Sequence, residues 1–240
     1  MLIESIIFLF LALLILLLLV VGFETVGFRR SEALLIFVGS TLLLLTSLPS
    51  ILLYFRGSLG LGIIYVPRGV LLFQEFFIVG PRNDLAVGFD LAGFLIPFFI
   101  SLKMVLDHRS PIRASLVGIT LIAVLSYLSS QFVAGEGVII RSIYAIAIAA
   151  SVVGIALSKR QWSSVGPIAY VSGSLGVLLG ADISRIADIL THRPSGFAFA
   201  SIGGAGVFDA IFLVGVLAVT IDVIFVENVR LIRWIQKRFV

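Results

Sequence analysis

Apolar runs about as long as a bilayer is thick recur along this chain, and lipid admits few backbone solutions. A helix of roughly 20 apolar residues crosses about 30 Å of hydrocarbon. With no water at that depth, its amides and carbonyls must be satisfied within the helix. Seven runs meet this description: Leu2–Phe23, Ala33–Phe55, Leu85–Leu106, Ala114–Ala134, Val138–Ser158, Val165–Ala181 and Phe197–Val226. The expected fold is therefore an all-α polytopic membrane protein of about seven transmembrane helices. Its 240 residues make one transmembrane domain, 1–240.

Composition agrees. Charged residues make up 12% of the chain and apolar residues 60%, against about 25% charged in soluble domains. The mean hydropathy is +1.21. There is no Cys, so disulfides and thiolate metal sites are excluded. His108 and His192 fall in expected loops, which makes a histidine-based metal site a poor fit, and no cofactor is expected. The first run follows an acidic Met1-Leu-Ile-Glu4 and carries no small-x-small cleavage pattern, so it reads as a spanning helix rather than a cleavable signal.

A pI near 9.8 raises the question of nucleic acid. The basic residues are spread over loops beside apolar runs, however, so the lipid bilayer is the expected partner and nucleic acid is not. Eleven of the 17 Lys and Arg residues share one side, including Arg29, Arg30, Lys103, Arg109, Arg113 and Lys159. That side is expected to be cytoplasmic, with an external N-terminus and a cytoplasmic C-terminus in the cell membrane.

Two segments stand apart. Gly57–Asp84 holds two β-branched and aromatic runs around Pro67-Arg68-Gly69, the pattern of an external hairpin or re-entrant interfacial element after the second span. A spanning helix there is the rival, and it would bury Arg68, Gln74 and Glu75 in hydrocarbon. Residues 227–240 continue the last helix as a basic amphipathic extension, alternating Val229, Ile232, Trp234 and Ile235 with Arg230, Arg233 and Lys237.

Intramembrane carboxylates carry the functional signal, because a charge at helix centre costs about 2.5–3.5 kcal/mol on insertion scales. Asp209 leads: it lies in Ser201-Ile-Gly-Gly-Ala-Gly-Val-Phe-Asp209, and no Lys or Arg falls between Arg193 and Arg230. Asp182 ends a glycine-rich span and Asp90 opens the third, so all three fall in the outer half of the bilayer. Arg141 is the candidate counter-ion of Asp209. Arg185 could pair with Asp182 three residues away, and Asp90 could cap a helix. Asp222, deeper along the last helix, is within reach of Arg230 or Lys159. Gly203, Gly204 and Gly206 are expected to open the backbone just before Asp209. Gly173, Gly176 and Gly180 form a stripe suited to close helix packing.

Asp-Leu-Ala-Gly-Phe-Leu-Ile-Pro97, Gly180-Ala-Asp182 and Ser201-Ile-Gly-Gly-Ala-Gly-Val-Phe-Asp209 together resemble an uncharacterised family of prokaryotic polytopic membrane proteins. The resemblance covers roughly Asp84–Val226. It implies a membrane fold and names no activity. The placing of Asp182 and Asp209 on adjacent glycine-rich helices also resembles the glycine-aspartate intramembrane aspartyl proteases. This chain departs from that motif: Ala181 precedes Asp182, and Val207-Phe208 separate Gly206 from Asp209.

The expected function is intramembrane aspartyl-protease-like hydrolysis of a membrane-protein substrate, with Asp182 and Asp209 as the pair and Asp90 as substitute. The alternatives are an ion- or proton-coupled transporter or channel built on a buried Asp, and a non-catalytic membrane scaffold subunit.

Overall fold

The computed structural model describes residues 17–39, 50–56, 60–66, 85–89, 91–133, 137–159, 161–191, 198–203 and 209–239. Helix α1 covers 17–25. Helix α2, Arg30–Leu34, continues as a π-helical turn over Leu35–Gly39. Strands β1 (Ser50–Arg56), β2 (Gly60–Val66) and β3 (Leu85–Phe89) follow. A π turn, Leu91–Leu95, leads into α3, Ile96–Leu106. Then come α4 (Ile112–Ser129), the hairpin β4 (Ser130–Val133) and β5 (Gly137–Ile140), and α5 (Ile143–Leu157). Helix α6, Trp162–Val177, ends in a π turn, Leu178–Asp182, and a 3-10 turn, Ile183–Arg185, before α7, Ile186–Thr191. Strand β6 (Ala198–Ile202) and the long α8 (Ala210–Phe239) complete the described elements.

The architecture is mostly helical, and three helical stretches are long and apolar enough to cross a membrane: Ile112–Ser129, Trp162–Asp188 and Ala210–Ile232. Gly93–Leu106 and Ile143–Leu157 are shorter apolar helices. Helix α6 lies at the centre, packed on α3, α4, α5 and α8, with every residue from Ser164 to Ser174 buried.

The helices facing outward are patterned inside out relative to a soluble bundle. On α4 the buried positions are Ser115, Gly118, Ile122 and Ser126, while Leu116, Leu121, Val124 and Leu128 are exposed. Lipid offers no hydrophobic force to drive helices together, so small residues that allow close contact line the interface. Gly180 shows how close: a Cβ there would lie 2.0 Å from the backbone oxygen of Ala123. Gly118 makes room for the Ser172 hydroxyl, and Gly215 for that of Ser174.

An all-α fold does not hold, because several apolar runs end as strands. The expected second span, Ala33–Phe55, finishes in β1, where Ile51, Tyr54 and Phe55 favour the extended chain. β1 pairs with β2 in a hairpin whose register runs from Ser50↔Val66 to Arg56↔Gly60. The turn expected at Pro67-Arg68-Gly69 lies outside the described residues, with the rest of 67–84. The third run begins as β3, the fourth ends in β4, the fifth begins as β5, and the seventh begins as β6. Hydropathy is the same for a buried strand and a helix end, so length alone could not separate them. The C-terminal extension does continue α8, as expected.

The larger sheet has the order β2-β1-β3-β6. β1 is antiparallel to β2 and β3, whereas β3 and β6 run parallel with Phe89 opposite Ile202. Each of these two parallel strands precedes a helix, α3 or α8.

Two ends of the bundle follow. At one, Arg109 donates to the Gly27 carbonyl at 3.0 Å, Arg29 pairs with Asp107 at 2.7 Å, and Arg230 donates to the Thr25 carbonyl at 3.2 Å. At the other, Arg185 stacks over Tyr127 at 4.3 Å and donates to the Ser130 carbonyl at 2.8 Å. Gly180→Ala is expected to lower stability by about 1–3 kcal/mol through overpacking of α4 on α6. Denaturant unfolding of the detergent-solubilised protein measures it.

Candidate functional site

Asp209 stands at the start of α8, not in the middle of a helix. Its Oδ1 accepts the Ile211 amide at 2.9 Å, and its carbonyl accepts the Leu213 amide at 2.8 Å. That is the geometry of an N-cap, in which a side-chain oxygen takes up one of the helix's orphan donors. The expected seventh span thus divides into β6, a connecting segment and α8. Gly203 ends β6 with φ +74, and a Cβ on it would lie 2.6 Å from the Phe94 amide nitrogen. The glycine is needed there both for the left-handed backbone and for the approach to the turn that opens α3. Gly204 and Gly206 lie outside the described residues, as does Asp90, whose neighbours Phe89 and Leu91 end β3 and open the π turn.

Asp182 closes the π turn that follows α6 and is half-buried. Such turns disturb the regular ladder and recur at functional sites. Arg185 does not pair with it. That guanidinium instead bonds Asp188 at 3.2 Å and the Tyr127 and Ser130 carbonyls. The carboxyls of Asp182 and Asp209 lie close enough to act on each other electrostatically. Asp182, closing the π turn after α6, and Asp209, capping the start of α8, therefore lie within electrostatic range of each other.

Arg141 sits in the β5–α5 turn, exposed, and donates to Gln131 Oε1 across the hairpin at 2.6 Å. Its side chain lines a shallow surface cavity of about 200 Å³ with Leu128, Ser129, Ser130, Gln131 and Ser142.

Two polar arrangements were not legible in the sequence. Asp222 is fully buried and accepts the Ser151 hydroxyl of α5 at 2.6 Å. The expected partner Arg230 pairs with Glu227 at 2.8 Å instead. Glu32, 2% exposed, lies between cations from another part of the chain. It pairs with Arg109, stands 3.5 Å from Lys103 Nζ and accepts the Arg29 amide at 3.0 Å. The return of the 103–109 loop brings both cations to Glu32. Among the described residues no group of three or more His, Cys, Asp or Glu could hold a metal ion.

The fold is a mostly helical, membrane-compatible bundle. The chain belongs to the DUF1614 family, described as proteins of unknown function, whose pattern it matches over residues 68–221. The matched stretch takes in Asp90, Arg141, Asp182 and Asp209. No curated protein and no solved structure matches the chain.

Asp209→Ala is expected to destabilise the protein by about 1 kcal/mol through loss of the cap, while Asp209→Asn, an equally good cap, leaves stability nearly unchanged. Glu32→Ala removes the nearest carboxylate of Arg109, leaving Asp107 at 3.9 Å, and should cost about 1–3 kcal/mol. Chemical denaturation of the three variants against the parent checks both statements.

Proposed function

We propose that this protein is an intramembrane aspartyl-protease-like hydrolase acting through Asp182 and Asp209. The observation that carries the reading is that the two carboxyls lie within electrostatic range of each other. They come from separate elements, each at a point where the helix is interrupted. Hydrolysis at a peptide carbonyl needs one carboxylate to take a proton from water as the oxygen attacks. It needs a second carboxylic acid to give a proton to the carbonyl oxygen. Neither step calls for a metal or cofactor.

The sheet supplies a rationale for substrate binding. β6 is an end strand in the sheet order and precedes Asp209 by a short segment. A membrane segment unwound at this end can add to that edge through main-chain hydrogen bonds.

For the membrane arrangement, α3, α4, α5, α6, α8 and the two N-terminal apolar runs of which α1 and α2 form part make seven crossings in this reading. The end with Arg29, Arg109, Lys159 and Arg230 is cytoplasmic, and the end with Asp182, Asp209 and the larger sheet is external. Unpaired strand edges are not tolerated in lipid, which favours a sheet outside the hydrocarbon.

Asp209→Asn and Asp182→Asn, purified and incubated with a fluorogenic transmembrane peptide, are expected to lose cleavage by at least 100-fold, within the scale of general acid–base catalysis. Cleavage at the parental rate in either variant removes the hydrolase reading and leaves transport or scaffolding.

A further inference from the structure

Asp222 plays no part in that reaction. It lies 13 residues beyond Asp209 on α8, about 20 Å along the helix at 1.5 Å per residue. Its side chain is completely buried, and so is that of its partner Ser151. Ser151 Oγ donates to Oδ1 at 2.6 Å, while Oδ2 has no hydrogen-bond partner among the described residues.

Among the described residues neither Arg230, Lys159 nor any other cation forms an ion pair with Asp222. From α5 comes only the Ser151 hydroxyl. From α1, Gly22 packs against Val223, and the nearby Thr25 hydroxyl is turned to the Gly22 carbonyl at 2.7 Å. Glu24 is taken by Arg30 at 2.7 Å. From α6, Trp162 meets Phe225 at 6.5 Å. On α8 itself, Arg230 is committed to Glu227 and the Thr25 carbonyl. A bare carboxylate among apolar helices, bonded through one oxygen to a neutral hydroxyl, is far from compensated.

We propose that Asp222 and Ser151 form an internal site for a small monovalent cation, a proton or an alkali-metal ion, held between α5 and α8. One negative charge calls for one positive charge. The donors are oxygens, which suit a hard cation. Among the described residues no cluster of three or more His, Cys, Asp or Glu surrounds Asp222, as a divalent site would call for. The two sources share this chemistry and differ in what displaces them. The site is independent of the Asp182–Asp209 reading, since it shares no residue with that pair.

The test is infrared difference spectroscopy of the full chain in phosphatidylcholine vesicles, comparing the parent, Asp222→Asn and Ser151→Ala. Spectra are taken in choline chloride and in sodium chloride from about pH 5 to about pH 9, where buried carboxyls are known to titrate. The expected result is a carboxyl signal present in the parent and missing in Asp222→Asn that responds to cation. A response to pH alone identifies the proton. A response to sodium at fixed pH identifies the alkali-metal ion. Ser151→Ala retains the carboxyl and is expected to move the midpoint of that response at least threefold in cation concentration. Should Asp222→Asn fail to fold, the shift in Ser151→Ala decides the matter alone. An Asp222 signal unchanged by pH and by sodium, or a Ser151→Ala response identical to the parent's, overturns the proposal.

Discussion

Close backbone approach around the central helix α6 is the constraint on which the rest depends. In lipid the tails are as apolar as leucine, so helices gain nothing by hiding apolar surface from one another. What holds them is dense contact and polar pairing. Gly180 against Ala123, Gly176 against Ile122 and Gly173 against Val214 and Ala150 bring α4, α5 and α8 onto one helix without intervening bulk. The outer faces are left to Leu116, Leu121, Leu128, Ile148 and Val152, which lipid can solvate.

That packing fixes where the helices stop, and the stops carry the chemistry. The α4–α6 contact persists through the π turn that carries Asp182. β3 and β6, parallel and in register, deliver two chain segments side by side to the starts of α3 and α8. Gly203 seals this junction by lying against the Gly93–Phe94 backbone. Asp209 then serves two ends at once: it caps α8, and it stands within electrostatic range of Asp182. The opposite end is fastened differently, by Glu32 among Arg109, Lys103 and the Arg29 amide. Long-range charge pairing does there what small-residue contact does within the bundle.

Much of this was written in the sequence, and the limits have physical causes. The helical membrane-type class followed from run length and from scarce charge. The Gly173-Gly176-Gly180 stripe announced close packing; of the glycines before Asp209, Gly203 is described and has a left-handed backbone just after β6, while Gly204 and Gly206 lie outside the described residues. Helix boundaries were misplaced at Ile51–Phe55, Leu85–Phe89 and Ala198–Ile202, because a β-branched or aromatic apolar run has the hydropathy of a helix end. The local partner expected for Asp182 was wrong, since Arg185 finds better acceptors across the bundle at Tyr127 and Ser130. Glu32 and the Ser151–Asp222 pair escaped because their partners lie 77 and 71 residues away in sequence. No local spacing encodes such contacts.

The central claim is that two interruptions in regular helix bring Asp182 and Asp209 together at one end of the bundle. The chain contains no Cys, so a double variant with Asp182→Cys and Asp209→Cys reports on this pair alone. Treatment in membranes with a short bifunctional thiol reagent, followed by peptide mass spectrometry, reads the proximity directly. The account predicts an intramolecular cross-link between the two positions, and none when Asp222→Cys replaces Asp209→Cys. Absence of the first link while both thiols are modified singly, or equal linking to position 222, would contradict it.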